Sequence, residues 1–432
     1  MMPIRFRTGT YMSLIATLAA GGLALGSGCA GKAKNGAAVP ASAPVEEVQM
    51  EPVKLHAVKG PDGVQHVETY DATELFDRAG AALAEKRYDD AIAAYERLLK
   101  EFPSETKYTK ATLYNEGLAY QGKKDYPAAI AKFQKLMDQF SWTSDAKDAQ
   151  FQIGASYAEM GNWTTSAALF AQILERKDLT PDDKIEALAR RGFAQFQLKD
   201  YETAERTFKS VVWFFQAIEK EERLQTDFFL ALAKYHLAEI PHEHFRAAPL
   251  RLPEKQMMKD LEEKCRLLLV AQRAYIEAMK LGNPQWASAS GYQVASLYEE
   301  MYQSLIHAPV PPELMTAENA EKLDVYYEEL RKRIRVLLEK SLKWNEQNLL
   351  MIERLGIENE WKDKSKVAFA KLQQMLDPSY KFEFADPSAP VPAAAPAPPT
   401  PSAPDSRSGA GEDDRERKDK PSPGPAVGRQ IL

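Results

Sequence analysis

Three histidines and two glutamates lie close together in one stretch of the chain and are the residues best suited to metal chemistry. The set is His236, Glu239, His242, Glu243 and His244. Zinc and similar cations are held by three or four imidazole, thiolate or carboxylate groups that converge on one point. The spacing here matches no standard metal motif, and Pro241 is expected to break the helix after the first histidine. The stretch therefore predicts a polar loop, with a metal-dependent enzyme as the alternative from another functional class.

Other groups that could act as nucleophiles or bind phosphate are sparse. Cys265 lies in a predicted amphipathic helix, where a small packed side chain is a simpler interpretation than a nucleophile. The sequence contains no Gly-x-x-x-x-Gly-Lys-Ser/Thr loop, no Gly-x-Ser-x-Gly elbow and no His-Glu-x-x-His motif. The sequence therefore predicts no enzyme and no cofactor.

The charge of the chain is nearly balanced. Its 56 Lys and Arg residues are set against 62 Asp and Glu residues, so the sequence lacks the basic character of a nucleic-acid-binding protein.

The start of the chain has the pattern of a signal for export. Arg5 and Arg7 precede an uncharged stretch from Thr8 to Cys29 that is rich in small residues. A short apolar stretch of this kind, after basic residues and before small ones, is typical of a secretory signal peptide. The sequence therefore predicts that residues 1–28 direct the chain out of the cytoplasm.

The residues just before Cys29 resemble the lipobox of bacterial lipoproteins, in which the cysteine is acylated when the signal is removed. That family usually has Leu three places before the cysteine, whereas here Gly26 occupies that place and Leu25 precedes it. The resemblance implies lipid attachment at Cys29. Because Ala30 rather than Asp follows, the enterobacterial sorting rule implies the outer membrane, with the chain facing the periplasm. An uncleaved anchor and ordinary secretion are the alternatives.

Two segments are too rich in Gly, Ala and Pro to form a packed core. Residues 29–70 predict a flexible tether between the lipid and the folded part. Residues 377–432 predict a disordered tail, Pro- and Ala-rich at first and charged towards its end. No convincing strand pattern occurs anywhere in the chain.

Between residues 71 and 215, the sequence pattern of one helical hairpin is repeated four times. Its small residue recurs at Ala91, Ala129, Ser166 and Ala204, with spacings of 38, 37 and 38 residues. An aromatic residue precedes each by three positions, and a bulky residue follows each by four, so these side chains share one helical stripe. The helix upstream repeats a small residue as well, at Ala79, Gly117, Gly154 and Gly192, where two backbones can approach closely.

The repeated pattern resembles the tetratricopeptide repeat, whose usual period is about 34 residues with small residues at the helix contacts. The resemblance implies an all-α hairpin solenoid with four repeats at 71–215. An irregular helical extension at 216–376 is predicted to follow, with helices at 224–239, 255–281, 285–307, 318–355 and 358–376. Three prolines predict a loop at 240–254.

In such a solenoid, the first helix of each hairpin lines an inner groove that binds extended peptides or partner helices. The resemblance implies a groove built from Tyr114, Leu118, Gln121, Phe151, Ala155, Glu159, Phe193, Phe196 and Gln197. Phe193 and Phe196 could instead pack against the helices that follow the repeats.

Signal, anchor and repeats together resemble envelope lipoproteins with tetratricopeptide repeats, especially those of the gliding-motility machinery. The resemblance implies a scaffold that holds other envelope proteins in a multiprotein complex. A factor for outer-membrane barrel assembly, or for cell-wall coordination of the Tol–Pal type, is the alternative.

Overall fold

The computed structural model of the chain describes residues 52–59, 64–218 and 227–377. The chain divides into two units, residues 1–72 and 73–432. The predicted signal peptide, Cys29, most of the predicted tether and the predicted tail beyond Asp377 lie outside the described residues. No helix within the described ranges combines the length and apolar character needed to cross a bilayer.

The first unit contains a β-hairpin where the sequence analysis predicts a tether without strands. Strands β1, Lys54–Lys59, and β2, Gln65–Tyr70, pair antiparallel with Ala57 opposite Val67. Two sequence signals explain this correction: apolar and polar residues alternate from Val53 to Ala57, and Gly60-Pro61-Asp62-Gly63 follows β1, a combination typical of turns.

The described part of the second unit is built from helices, which confirms the predicted all-α hairpin solenoid. The four predicted repeats form α1 Ala72–Ala84, α2 Tyr88–Glu101, α3 Thr106–Gly122, α4 Tyr126–Gln139, α5 Ser144–Glu159, α6 Trp163–Leu174, α7 Pro181–Gln197 and α8 Tyr201–Ile218. From α2 to α8 each helix packs against the next along the chain, and α3 also contacts α5. Lys147 of α5 also pairs with Asp183 of α7, so the first helices α3, α5 and α7 form one layer, hereafter the first-helix layer.

In α3, α5 and α7, the repeated small residue contacts the second helix of the same hairpin. The pairs are Gly117 with Phe133, Gly154 with Phe170, and Gly192 with Phe208. A Cβ placed on these glycines would lie 2.6, 2.8 and 2.8 Å from the facing ring, well inside van der Waals contact. The three phenylalanines are buried, so each glycine allows a ring to fill the space between two helices.

Beyond the repeats, hairpin packing continues through longer helices. Their bounds are α9 Phe228–Ala247, α10 Glu254–Met279, α11 Pro284–Ile306, α12 Ala320–Arg354 and α13 Glu360–Leu376. The last four lie within two residues of the predicted limits. Helix α9 packs on α7 and α8, α10 on α9, α11 on α10 and α12, and α13 on α12 and α11.

Helix α9 corrects the predicted loop at 240–254, because it runs through Pro241 to Ala247. A proline inside a helix removes one backbone hydrogen bond at a cost of about 3 kcal/mol. The residues on either side, Ile240, His242 and Phe245, are buried. Burial of these side chains offsets the loss, since each large apolar side chain contributes about 1.5–3 kcal/mol.

Candidate functional site

The first-helix layer holds all nine residues predicted to line the groove, but in different surroundings. Tyr114, Leu118 and Ala155 are half-buried, and Glu159 and Gln197 are exposed at helix ends. The Tyr114 hydroxyl accepts a hydrogen bond from Gln152 Nε2 at 3.2 Å, which ties α3 to α5 at this surface.

Gln121 and Phe151 are buried inside the layer, which corrects their assignment to the groove. Gln121 is 4% exposed, and its Nε2 donates to Gln152 O at 3.2 Å and to Ser156 Oγ at 2.8 Å. Phe151 is 6% exposed and meets the Phe170 ring edge-on, with centroids 6.0 Å apart. Both side chains are used in helix packing because neighbouring first helices approach closely enough to cover them.

Phe193 and Phe196 pack against α9, as in the alternative prediction that they contact the helices after the repeats and do not line a groove. Their ring centroids lie 5.0 and 5.1 Å from that of His236. The same histidine ring lies 5.5 Å from Phe208 of α8 and 5.7 Å from Trp286 of α11. His236 is therefore the centre of an aromatic cluster, hereafter the His236 cluster, that joins the repeats to the helices after them.

A buried hydrogen-bond network fixes the His236 ring. His236 Nδ1 donates to Glu239 Oε2 at 2.9 Å, and the Tyr235 hydroxyl donates to Glu239 Oε1 at 3.0 Å. Gln293 Nε2 donates to both Tyr235 and Glu239, at 3.0 and 3.1 Å. Burial by itself raises the pKa of Glu239, but the hydrogen bond and charge of His236 outweigh burial and lower that pKa.

A second network surrounds His242, which is fully buried. Its Nδ1 lies 3.0 Å from the Tyr275 hydroxyl, and its Nε2 lies 3.2 Å from Glu300 Oε2. Arg246 donates from Nε and from its second terminal nitrogen to the two Glu300 oxygens, each at 2.9 Å. Although burial opposes the charged carboxylate, the hydrogen bonds from His242 and Arg246 lower the pKa of Glu300 to about 2.

The histidines thus connect helices rather than converge on one point. His244 is exposed and faces Tyr201, with ring centroids 5.7 Å apart. Across the residues that the structure describes, no three His, Cys, Asp or Glu side chains are arranged to hold a metal ion.

Cys265 is exposed on α10, which corrects its prediction as a packed residue. The buried positions around it are Lys264, Leu267 and Leu268, and Cys265 lies at the edge of this buried face, since residues three apart share one side of a helix. Partial burial raises the pKa of the Cys265 thiol, whereas a nucleophilic cysteine needs a lowered pKa.

The repeats contain buried ion pairs that the sequence pattern does not predict. Lys147 Nζ of α5 donates to Asp183 Oδ2 of α7 at 2.6 Å, and both side chains are buried. Lys132 of α4 lies 2.5 Å from Glu116 of the preceding helix. Burial raises the pKa of Glu116 despite this contact. Neighbouring charges of this kind cannot be recognised from spacing because each partner comes from a different helix.

The sequence model described as "Tetratricopeptide repeat" matches residues 71–106 and 114–184. The chain contains tetratricopeptide repeats. The matched residues correspond to α1, α2 and most of α3 to α6, together with the start of α7. A comparison with curated proteins finds no match.

Solved structures similar to the chain include other helical proteins at low identity. The apo form of RapI is 11% identical, with 70% of this chain and 99% of RapI covered and a TM-score of 0.38. MamA from Desulfovibrio magneticus RS-1 is 14% identical, with 47% and 96% covered and a TM-score of 0.31. YrrB, a protein with these repeats and an unusual peptide-binding site, is 16% identical, with 47% and 91% covered and a TM-score of 0.30.

Tetratricopeptide repeats generally mediate protein–protein interactions, since their stacked hairpins present extended surfaces. In this chain one partly open part of the first-helix layer is the α3–α5 surface, which we define as Tyr114, Leu118 and Ala155. An aromatic and an aliphatic side chain beside a small one can receive the side chains of an extended segment.

Proposed function

We propose that the chain is an outer-membrane-anchored scaffold that binds a protein partner on its tetratricopeptide repeats. The observation that carries this proposal is the α3–α5 surface, which neighbouring helices leave half-covered. A half-buried aromatic side chain in a fixed orientation is the type of residue on which binding energy concentrates. The hydrogen bond between Gln152 and Tyr114 supplies that fixed orientation.

The proposal includes a lipid on Cys29 and a location at the outer membrane, facing the periplasm. It rests on the resemblance of the sequence before Cys29 to a lipobox. Two or more acyl chains hold a protein firmly at a bilayer, whereas one gives only marginal binding. We propose a multiprotein envelope complex as the setting and the gliding-motility machinery as the first pathway to test.

A single bulky substitution tests the α3–α5 surface. Ala155→Arg adds a long charged side chain to this surface and removes no existing contact of a large side chain. We expect it to reduce the partners captured by crosslinking and pull-down from membranes at least tenfold, because the surface would be obstructed. The matched control is Ala93→Arg, the same change at an exposed position of α2. Equal capture by wild type and Ala155→Arg would place the partner on another surface.

The anchor is tested separately through the two cysteines of the chain, Cys29 and Cys265. We expect Cys29→Ser to move the protein from the membrane fraction to the soluble fraction, because the residue that would carry the lipid is removed. Cys265→Ser is the control and should leave the distribution unchanged. Membrane retention of Cys29→Ser would contradict lipid attachment, while leaving the test of the α3–α5 surface intact.

A further inference from the structure

Helix α10 carries a second row of apolar side chains beside the face that it buries. The buried face, which includes Leu267, Ala271 and Tyr275, packs on α9 and α11. The second row, hereafter the α10 stripe, consists of Met258, Leu261, Cys265, Leu269, Gln272, Ile276 and Met279. Its members recur every three or four residues. An average spacing of about 3.5 residues is typical of the line along which two helices pair.

The α10 stripe is open to solvent although most of it is apolar. Met258 is 60% exposed and Leu269 is 59% exposed, and Cys265 between them is exposed as well. Leu261 and Ile276 are half-buried. Single exposed apolar residues are common on protein surfaces, whereas a row of them rimmed by charged residues is typical of an interaction site.

The charged residues beside the α10 stripe indicate which partner fits it. Glu262 lies on the outer border of the stripe in the first half of α10, and Arg273 lies on the same border in the second half. Both side chains are exposed, and within the ranges that the structure describes neither forms an ion pair. A helix that runs in the opposite direction with the same sequence therefore presents the complementary charge at each position.

We propose that the α10 stripe is the contact surface of a homodimer, in which α10 of a second copy lies antiparallel across a twofold axis. Closed twofold pairs are the commonest symmetric assemblies of soluble proteins, and every contact in them occurs twice. The axis passes at the level of Leu267. Met258 then meets Ile276 of the second copy, and Cys265 meets Leu269 of the second copy. This dimer is independent of the α3–α5 surface, because the two surfaces share no residue.

Charge favours the antiparallel pair over a parallel one. In the antiparallel pair, Glu262 lies beside Arg273 of the second copy. In a parallel pair, Glu262 would lie beside its own counterpart, where like charges repel. At the helix ends Glu254 and Lys255 both approach Lys280 of the second copy, so their contributions cancel. The antiparallel pair also places opposite ends of the two helix dipoles side by side.

Cys265 provides a direct probe of this contact. In the full chain with Cys29→Ser, Cys265 is the sole remaining cysteine. Four residues separate Cys265 from the position that it faces, so the two thiols of the pair lie about 6 Å apart along the helix axes. Paired helices have axes about 8–10 Å apart, and a bismaleimide with a short linker should therefore join the two copies. Cys265→Ser combined with Glu263→Cys moves the thiol to the other side of α10 and should abolish the crosslink.

A charge placed in the α10 stripe should separate the copies. Because Leu269 is exposed, Leu269→Glu leaves the core intact, and we expect it to raise the dissociation constant of the dimer at least tenfold by sedimentation equilibrium. The matched control is Val367→Glu, the same kind of change at a residue of α13 that is 71% exposed, and it should leave the dissociation constant unchanged.

Charge reversal distinguishes a second copy from any other partner. Glu262→Arg should weaken the dimer several-fold, because the new side chain lies beside Arg273 of the second copy. Addition of Arg273→Glu should restore the affinity. The proposal is overturned if the chain sediments as a monomer at every concentration, if Leu269→Glu leaves the dimer unchanged, or if the reversed pair does not restore it.

Discussion

Gly117→Ala is expected to destabilise the protein, although alanine is the better helix former. Replacing a helical glycine by alanine gains about 1 kcal/mol of helix propensity. At position 117, however, the new methyl group would lie 2.6 Å from the Phe133 ring, and that ring is fully buried. Overpacking of this kind costs about 1–3 kcal/mol or more. We therefore expect a lower midpoint of urea unfolding, followed by circular dichroism.

Gly80→Ala is the matched control, because Gly80 lies in α1 and, of the described residues outside that helix turn, a methyl group there would come near the Tyr95 hydroxyl alone, at 3.9 Å. This change should raise the midpoint or leave it unchanged. Both variants gain the same helix propensity, so their free energies of unfolding are expected to differ by the overpacking cost, about 1–3 kcal/mol or more. Equal midpoints would show that Phe133 can move aside and that glycine is not required between these helices.

Asp183→Ala is expected to lower the free energy of unfolding by about 3–5 kcal/mol. The change removes the only carboxylate that lies within an ion-pair distance of Lys147 among the described residues, leaving a buried charge. It also removes the capping box at the start of α7, where Thr180 and Asp183 exchange hydrogen bonds at 3.1 and 3.2 Å. Chemical denaturation measures the loss.

A double-mutant cycle separates the ion pair from the cap. Lys147→Met combined with Asp183→Asn removes both charges, and we expect it to be less destabilising than the sum of the single changes. The exposed pair of Lys209 and Glu205, at 2.7 Å, is the reference, since Lys209→Met should change stability by less than about 1 kcal/mol. Strict additivity of the buried changes would show that the two charges act independently.

The repeated stripes of the sequence predict the fold well because they report contacts made within one hairpin. Gly154 and Phe170 meet across a single turn, so regular spacing along the chain is enough to identify them. The later helices are also predicted closely, since glycine and proline mark their ends. Helix α9 is the exception, because burial of the nearby Ile240, His242 and Phe245 outweighs the local preference for a break at Pro241.

The candidate site is less predictable because it depends on contacts between hairpins. Gln121 and Phe151 belong to the expected inner face, yet neighbouring helices cover them. His242 contacts Tyr275 and Glu300, which lie 33 and 58 residues away along the chain. No local pattern encodes such distant partners, so the sequence suggests a metal site or a loop where the structure has a buried network.

The His236 cluster has a consequence for how the molecule unfolds. Arrays of repeats behave as one-dimensional chains in which each unit is coupled only to its neighbours, and their ends can fray independently. His236 contacts rings from α7, α8 and α11 as well as its own helix, so opening the array at this joint exposes several aromatic surfaces at once. The fourth repeat and the following helices should therefore unfold as one cooperative unit. Local unfolding should begin in the first repeats.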